Sequence, residues 1–253
     1  QGMSGMMQVT GHPDQAPVKV GVPITDLNAG FYGAYGTLCA YISRLKTGKG
    51  QFVDTSLLEG GIAYSFWESA MYFATGENPE PMGSAHRLSA PYQAFQTADG
   101  HLNIGAANQA NWERLCAAID REDLLEDERF ASNPDRMVNL RALAETLDET
   151  FALKPTDQWL EILDRAGVPS GPIYSFSDVY GDPHVQARGM EVETEHAAAG
   201  RVRNIGIPVK LSETPGSIRR SAPALGQHTD EILGEFGYSE AELAQLRDDG
   251  ALG

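Results

Sequence analysis

Apolar residues at Leu27, Phe31, Tyr35, Leu38, Ile42 and Leu45 recur in steps of three and four, the period of an amphipathic helix. Gly30, Gly33 and Gly36 form a second row at spacing three. Each glycine weakens a helix by about 1 kcal/mol, so three in one helix call for close approach by another backbone or a ligand. Thr47-Gly48-Lys49-Gly50 supplies the C-terminal stop. Ahead of this helix, residues 1–25 are rich in Gly and Pro and read as an ordered loop.

After the stop, Gln51 to Thr55 reads as a short strand and Leu57 to Ala74 as a second helix. The rings of Tyr64, Phe66, Trp67, Tyr72 and Phe73 read as core packing. Glu77 to Ala90 is a polar, glycine-containing loop. From Pro91 the pattern changes. Tyr92 to Thr97 alternates, Ala98-Asp99-Gly100 turns, and His101 to Ile104 returns, which predicts a hairpin. Helices follow at about 110–119, 136–153 and 156–166, broken by Pro155 and Gly167. Glu191 to Glu195 and Arg201 to Ile205 predict a second hairpin. A terminal helical pair is split at Gly237-Tyr238-Ser239, where Ser239 with Glu242 spells a capping box. There is no internal repeat. The reading divides the chain into 1–90, a small α+β domain at 91–187, and a linker and return at 188–253.

A chain of 253 residues can bury a sizeable core. Its net charge of −16 argues against nucleic acid as a partner, because that binding needs Lys and Arg to neutralise phosphates. The first 50 residues run the other way, with Lys19, Arg44, Lys46 and Lys49 against Asp14 and Asp26. Cys39 and Cys116 make neither a disulfide framework nor a metal spacing, so no metal is expected and a reducing compartment is. No run approaches eighteen apolar residues and no signal sequence is visible, so the expectation is a cytoplasmic protein without a membrane partner. The start, Gln-Gly-Met-Ser-Gly-Met-Met, reads as the middle of a longer protein.

Few residues stand out for chemistry. Asp26 follows Pro23 at the start of the predicted helix. From the residues alone it is either a helix cap, worth about 1 kcal/mol, or a reactive carboxylate. His86 is either a solvated loop residue or part of a site. Lys46 and Lys49 suit a helix C-terminus or a phosphate, and His228 reads as a structural turn residue.

The motifs, taken in order, decide among these readings. SGMM-x-x-TG is followed by D-L-N-A-G from Asp26 and by R-x-K-TGKGQ-x-V-D from Arg44. Then come GSAHR before APY, F-x-T-x-DG, AGVPSGPIYS, DPHVQARGM and LGQHTDEIL. In this order and over nearly the whole chain they resemble the family III CoA-transferases (CaiB/BaiF type), which include formyl-CoA transferase and the carnitine CoA-transferase type. Members of that family are longer. The resemblance implies an α/β fold in which a Rossmann-like large domain, its N-terminal half of roughly 150 residues absent from this sequence, carries a small α+β domain. It also implies interlocked homodimers.

The resemblance places the catalytic nucleophile at Asp26. It implies transfer of coenzyme A between an acyl-CoA thioester and a carboxylic acid through an aspartyl anhydride and an aspartyl-CoA intermediate. No further cofactor is expected, since the CoA thioester is itself the substrate. Aspartate suits the task, being ionised at neutral pH without help from a base. Gly83, Ser84, Ala85 and His86 match the family's glycine loop and are the expected substrate-binding and CoA-binding residues. Their backbone N–H groups could stabilise carbonyl charge, at about 3 kcal/mol each. Other members carry a run of glycines there, and this chain has only Gly83.

Two rival functions remain. An α-methylacyl-CoA racemase of the same superfamily carries a Glu in a G-A-x-E pattern, but Gly105-Ala106-Ala107 is followed here by Asn108. The other rival is a non-catalytic fragment that only binds or dimerises.

Overall fold

In the computed structural model, which describes residues 1–252, the glycine-rich opening contains one helical turn, α1 (Met6–Val9). The periodic run then forms a single 24-residue helix, α2 (Ile24–Thr47). Its end is the predicted one. Gly48 adopts φ 74° and its N–H closes on Arg44 O, a geometry that favours glycine. Its start differs from the capping alternative. Pro23 occupies the cap position, so Asp26 lies inside the first turn.

Gln51–Thr55 forms no strand. Instead it lies along α2, where a methyl group on Gly36 would come within 2.9 Å of Val53 Cγ1. Gly36 thus has the close neighbour expected of it, whereas Gly30 faces open space. The second helix is two, α3 (Leu57–Tyr64) and α4 (Phe66–Thr75). They part at Ser65, whose hydroxyl donates back to Gly61 O at 3.3 Å.

α3 seats on α2 through two glycines. A β carbon on Gly60 would lie 3.2 Å from Ala29 N, and one on Gly61 would lie 2.7 Å from Ser4 Cβ. Asn28, buried between them, donates its amide to Gly60 O at 3.4 Å. Gly61→Ala is therefore expected to cost about 1–3 kcal/mol through overpacking. Urea unfolding of the variant measures it, and an unchanged midpoint would mean that α3 shifts freely.

The next unit holds the core. β1 (Tyr92–Gln96) and β2 (His101–Gly105) form the predicted hairpin, and β3 (Ser170–Pro172), unforeseen, adds an antiparallel third strand beside β2. Between them run α5 (Gln109–Ala118), a 3-10 turn at Glu122–Leu125, α6 (Asn133–Val138), α7 (Leu140–Phe151) and α8 (Thr156–Arg165). The helix expected over 136–153 is interrupted at Asn139, which is the C-cap of α6.

Phe95, Leu102 and Ile104 face Trp112, Leu115, Leu143, Leu147, Phe151, Trp159 and Leu163 in one buried cluster. At i and i+2 on the strand and at i, i+3 and i+4 on the helices, these are the positions that one face must bury. Pro155 cannot cap α8 with a side chain, and Asp99 of the hairpin turn does so from outside. Asp99 Oδ1 accepts the Thr156 N–H at 2.8 Å. That bond and one from the Thr156 hydroxyl hold its carboxyl below the ordinary carboxylate range. Burial pushes the Cys116 thiol up to about 12, which suits an inert core residue.

The chain divides into two compact units, Gln1–Ile173 and the residues from Tyr174 onward. The second unit contains α9 (Phe176–Gly181), α10 (Pro183–Ala187), the two-stranded antiparallel sheet of β4 (Glu191–His196) and β5 (Gly200–Ile205), α11 (Thr229–Glu235) and α12 (Glu240–Asp248). The Ser239–Glu242 capping box is present at the start of α12. The fold is thus α/β, with helices and small antiparallel sheets. Among the described residues no helix is long and apolar enough to cross a membrane.

The apolar stripe of α2 does not face this core. Phe31 is 68%, Tyr35 67% and Leu45 69% exposed. The aromatic run expected in a core is likewise open to solvent, with Phe73 81% exposed and no residue of α4 buried. The hydrophobic period is that of a buried face, but among the described residues nothing covers it. The accessible surface totals 17218 Å². Two separate compact bodies of these sizes would expose about 13,000 Å².

Candidate functional site

Asp26 is an exposed carboxylate in the first turn of α2. Its Oδ2 accepts the Thr25 hydroxyl at 3.1 Å. Thr25 and Asn28 on either side are buried, so backbone packing fixes the turn while the carboxylate stays accessible. Among the described residues no side chain caps this helix end. Its outward N–H groups favour negative charge nearby. Ser4 and Gly61 close the junction behind Thr25, which ties Asp26 to the seating of α3 on α2.

Gly83 stands at φ +63°, in the left-handed region, and its N–H donates to Gly11 O at 2.7 Å. A β carbon there would lie 2.8 Å from His12 Nδ1, so both conformation and space require glycine. The loop after α1 and the Gly83 turn are thus fastened together. They line a cleft of about 520 Å³ with Ala94 and Gln96 of β1, His101 of β2 and Asp148 of α7.

The structure separates the four predicted loop residues. Gly83 and Ser84 line the cleft, and Ala85, His86 and Asp26 are not among its lining residues. The Ala85 N–H goes to Met82 O at 3.1 Å and the His86 N–H to Tyr92 O at 2.8 Å. With the Gly83 N–H also engaged, Ser84 supplies the one N–H of the four without a protein acceptor among the described residues. The Ser84 hydroxyl accepts the Ala94 N–H at 3.1 Å.

His86 is half-buried and does not line the cleft. Its ring stacks on Tyr92 with centroids 4.9 Å apart and meets Trp67 edge-on at 5.2 Å. Its Nδ1 accepts the Leu88 N–H at 3.1 Å. The ring serves to fold the loop back onto β1. His228, read as a turn residue, lies 3.1 Å from Glu231 Oε2 just ahead of α11.

No motif points directly to His12, His101 or Asp148 in this cleft. They converge from a loop, a strand and a helix. The only local signals were the Gly-His-Pro turn and the position of His101 beside the Asp-Gly bend. A second cavity of about 660 Å³, in the other unit, is lined by Tyr180, Glu191, Arg203, Ile218 and Arg220 and holds none of the predicted residues.

Known proteins agree with the motifs. The family described as CoA-transferase family III matches residues 1–229. Human succinyl-CoA:glutarate CoA-transferase is 36% identical over 96% of this chain and 56% of its own length. The succinate–glutarate CoA-transferase of Agrobacterium fabrum is 34% identical over 93% of this chain and 59% of its own length. A crystal structure of a CAIB/BAIF family protein from Brucella suis superposes with a TM-score of 0.80 at 35% identity, covering 93% of this chain and 61% of that one. The chain therefore spans somewhat more than half the length of the relatives it matches. It belongs to CoA-transferase family III.

Proposed function

We propose that this chain carries the nucleophile of a CoA-transferase and that the nucleophile is Asp26. The observation that carries the reading is an exposed carboxylate, fixed by the buried Thr25 and Asn28, in the first turn of α2 of a family III chain. The acids named for the two relatives, succinate and glutarate, are dicarboxylic. We propose the same class for the acceptor here.

The exchange balances in four steps. The Asp26 carboxylate attacks the thioester carbonyl of the acyl-CoA, the C–S bond breaks, CoA leaves as thiolate, and a mixed anhydride remains. The thiolate attacks the aspartyl carbonyl, releasing the donor acid as carboxylate and leaving aspartyl-CoA. The acceptor carboxylate attacks that thioester and expels the thiolate, giving a second anhydride. The thiolate attacks the acceptor's carbonyl, which forms the new acyl-CoA and frees Asp26. No step consumes a proton or needs a base. Each hard exchange becomes two additions whose oxyanions need donors. The uncapped N-terminus of α2 is one source of such donors.

The uncovered stripe of α2 supports two further elements of this reading. The active enzyme is a homodimer, and this stripe is covered in it by the partner and by a Rossmann-like half that the longer relatives' length accommodates. Under this reading residues 1–90 and 188–253 belong to the large domain and 91–187 form the small one. The direct test is the intact mass of the full chain after incubation with succinyl-CoA. An adduct that maps to Asp26 by peptide sequencing supports the mechanism, and an adduct on another residue removes it.

A further inference from the structure

Building on the proposed CoA-transferase reading, we infer that the Gly83 cleft receives the second, non-reacting carboxylate of the acceptor acid and that His12 and His101 are its hydrogen-bond donors.

The chain has six histidines. Three have their imidazoles engaged within the protein: His86 with the Leu88 N–H, His196 with the Ala198 and Ala199 N–H groups, and His228 with Glu231. Among the described residues the imidazoles of His12, His101 and His184 have no hydrogen-bond partner and all three residues are exposed, but only His12 and His101 share one cleft. They reach it from unrelated elements, a loop and β2, so local sequence does not explain the pairing.

Imidazole carries at least one N–H donor in each tautomer and two when charged. Two such rings and the Ser84 N–H make a donor set suited to a carboxylate. Two other polar groups on the wall are partly engaged. The Ser84 hydroxyl takes the Ala94 N–H, and Asp148 Oδ1 takes the Gln96 N–H at 2.9 Å. An incoming carboxylate meets the Asp148 charge, and the two imidazole donors offset it. A methyl group in the same place would displace water from these exposed donors and give them no acceptor in return.

The cleft is also held in shape. His12 packs on Gly83, and the Gly83 N–H to Gly11 O bond closes the wall between them. Asp26 does not line the cleft, which is what a non-reacting end requires: one carboxylate goes to the nucleophile, the other to this recess.

The test compares glutarate with valerate, which has the same number of carbons and lacks the second carboxylate, as acceptors for succinyl-CoA in the full chain. His12→Ala and His101→Ala are each expected to lower kcat/KM for glutarate about 10- to 100-fold, mostly through KM, and to leave valerate within about 3-fold. His12→Gln, which keeps an N–H donor, is expected to restore part of the loss. A second readout needs no turnover. Glutarate should shift the imidazole NMR signals of His12 and His101, and valerate should not. If exchange is absent but glutarate still shifts both rings, the transferase reading falls and the carboxylate site stands. If exchange proceeds and neither ring nor specificity responds, the site falls and the transferase reading stands. Absence of both removes both. His101 provides the independent check should His12→Ala fold poorly.

Discussion

Asp26→Ala is expected to lower CoA exchange by three orders of magnitude or more while leaving the fold intact. The first half follows from the chemistry. Both intermediates are covalent bonds to this carboxylate, so the variant has no partial route and only background reaction remains. The second half follows from placement. The side chain is exposed and makes one hydrogen bond, to the Thr25 hydroxyl. Its loss removes a favourable charge from a helix start, worth about 0.3–1 kcal/mol. Exchange rates and urea midpoints measured side by side separate the two. A variant that loses activity and stability together would point to a structural carboxylate. Asp26→Asn keeps the shape and should be equally inactive.

Arg136→Ala is expected to have the largest effect on stability, a loss of about 3–5 kcal/mol. Arg136 is fully buried under the hairpin and its guanidinium lies 5.1 Å from the Trp112 ring centroid. Nε donates to Ala90 O at 2.7 Å, and Nη1 donates to Phe130 O at 2.9 Å and Gln109 Oε1 at 3.1 Å. Burial holds the guanidinium below its ordinary pKa. Alanine would leave two core acceptors, Ala90 O and Phe130 O, without this donor and open a cavity beside Trp112. Arg136→Lys supplies charge but not the fork that reaches Ala90 O and Phe130 O from one plane, and should recover only part of the loss. A midpoint within experimental error of the parent for Arg136→Ala would show that the loop repacks or that water replaces the guanidinium.

Periodicity made α2, the two hairpins and the terminal helix pair legible, because each is specified by short-range pattern and by a named stop or turn. Gly48 ends α2 and Ser239 starts α12 as the sequence requires. What could not be read was which face is buried. The stripe from Leu27 to Leu45 has the spacing of a core face, and spacing alone does not say whether the partner surface is in the same chain. Val53 against Gly36 shows the same limit from the other side: a strand-like segment packs by side chains and, among the described residues, joins no strand. The site was legible at single residues. Asp26 and the left-handed Gly83 stand out by type and motif. His86 looked equally accessible, but the stacking of Tyr92 and Trp67 that occupies it is a long-range contact. His12 and His101 lie 89 positions apart in the numbering and meet only through the fold.

The location of the core has a consequence for heat. Every member of the large buried cluster falls between Ala90 and Val168, whereas α2 buries only Thr25, Asn28 and Ala40. The carboxylate proposed to react therefore rides on a helix that has little packing beneath it within this chain. Once the proposed covering surfaces separate, that helix is expected to loosen on warming while the hairpin and its helices still hold. Catalytic half-life and the melting of secondary structure become separate quantities, and the first runs out at the lower temperature.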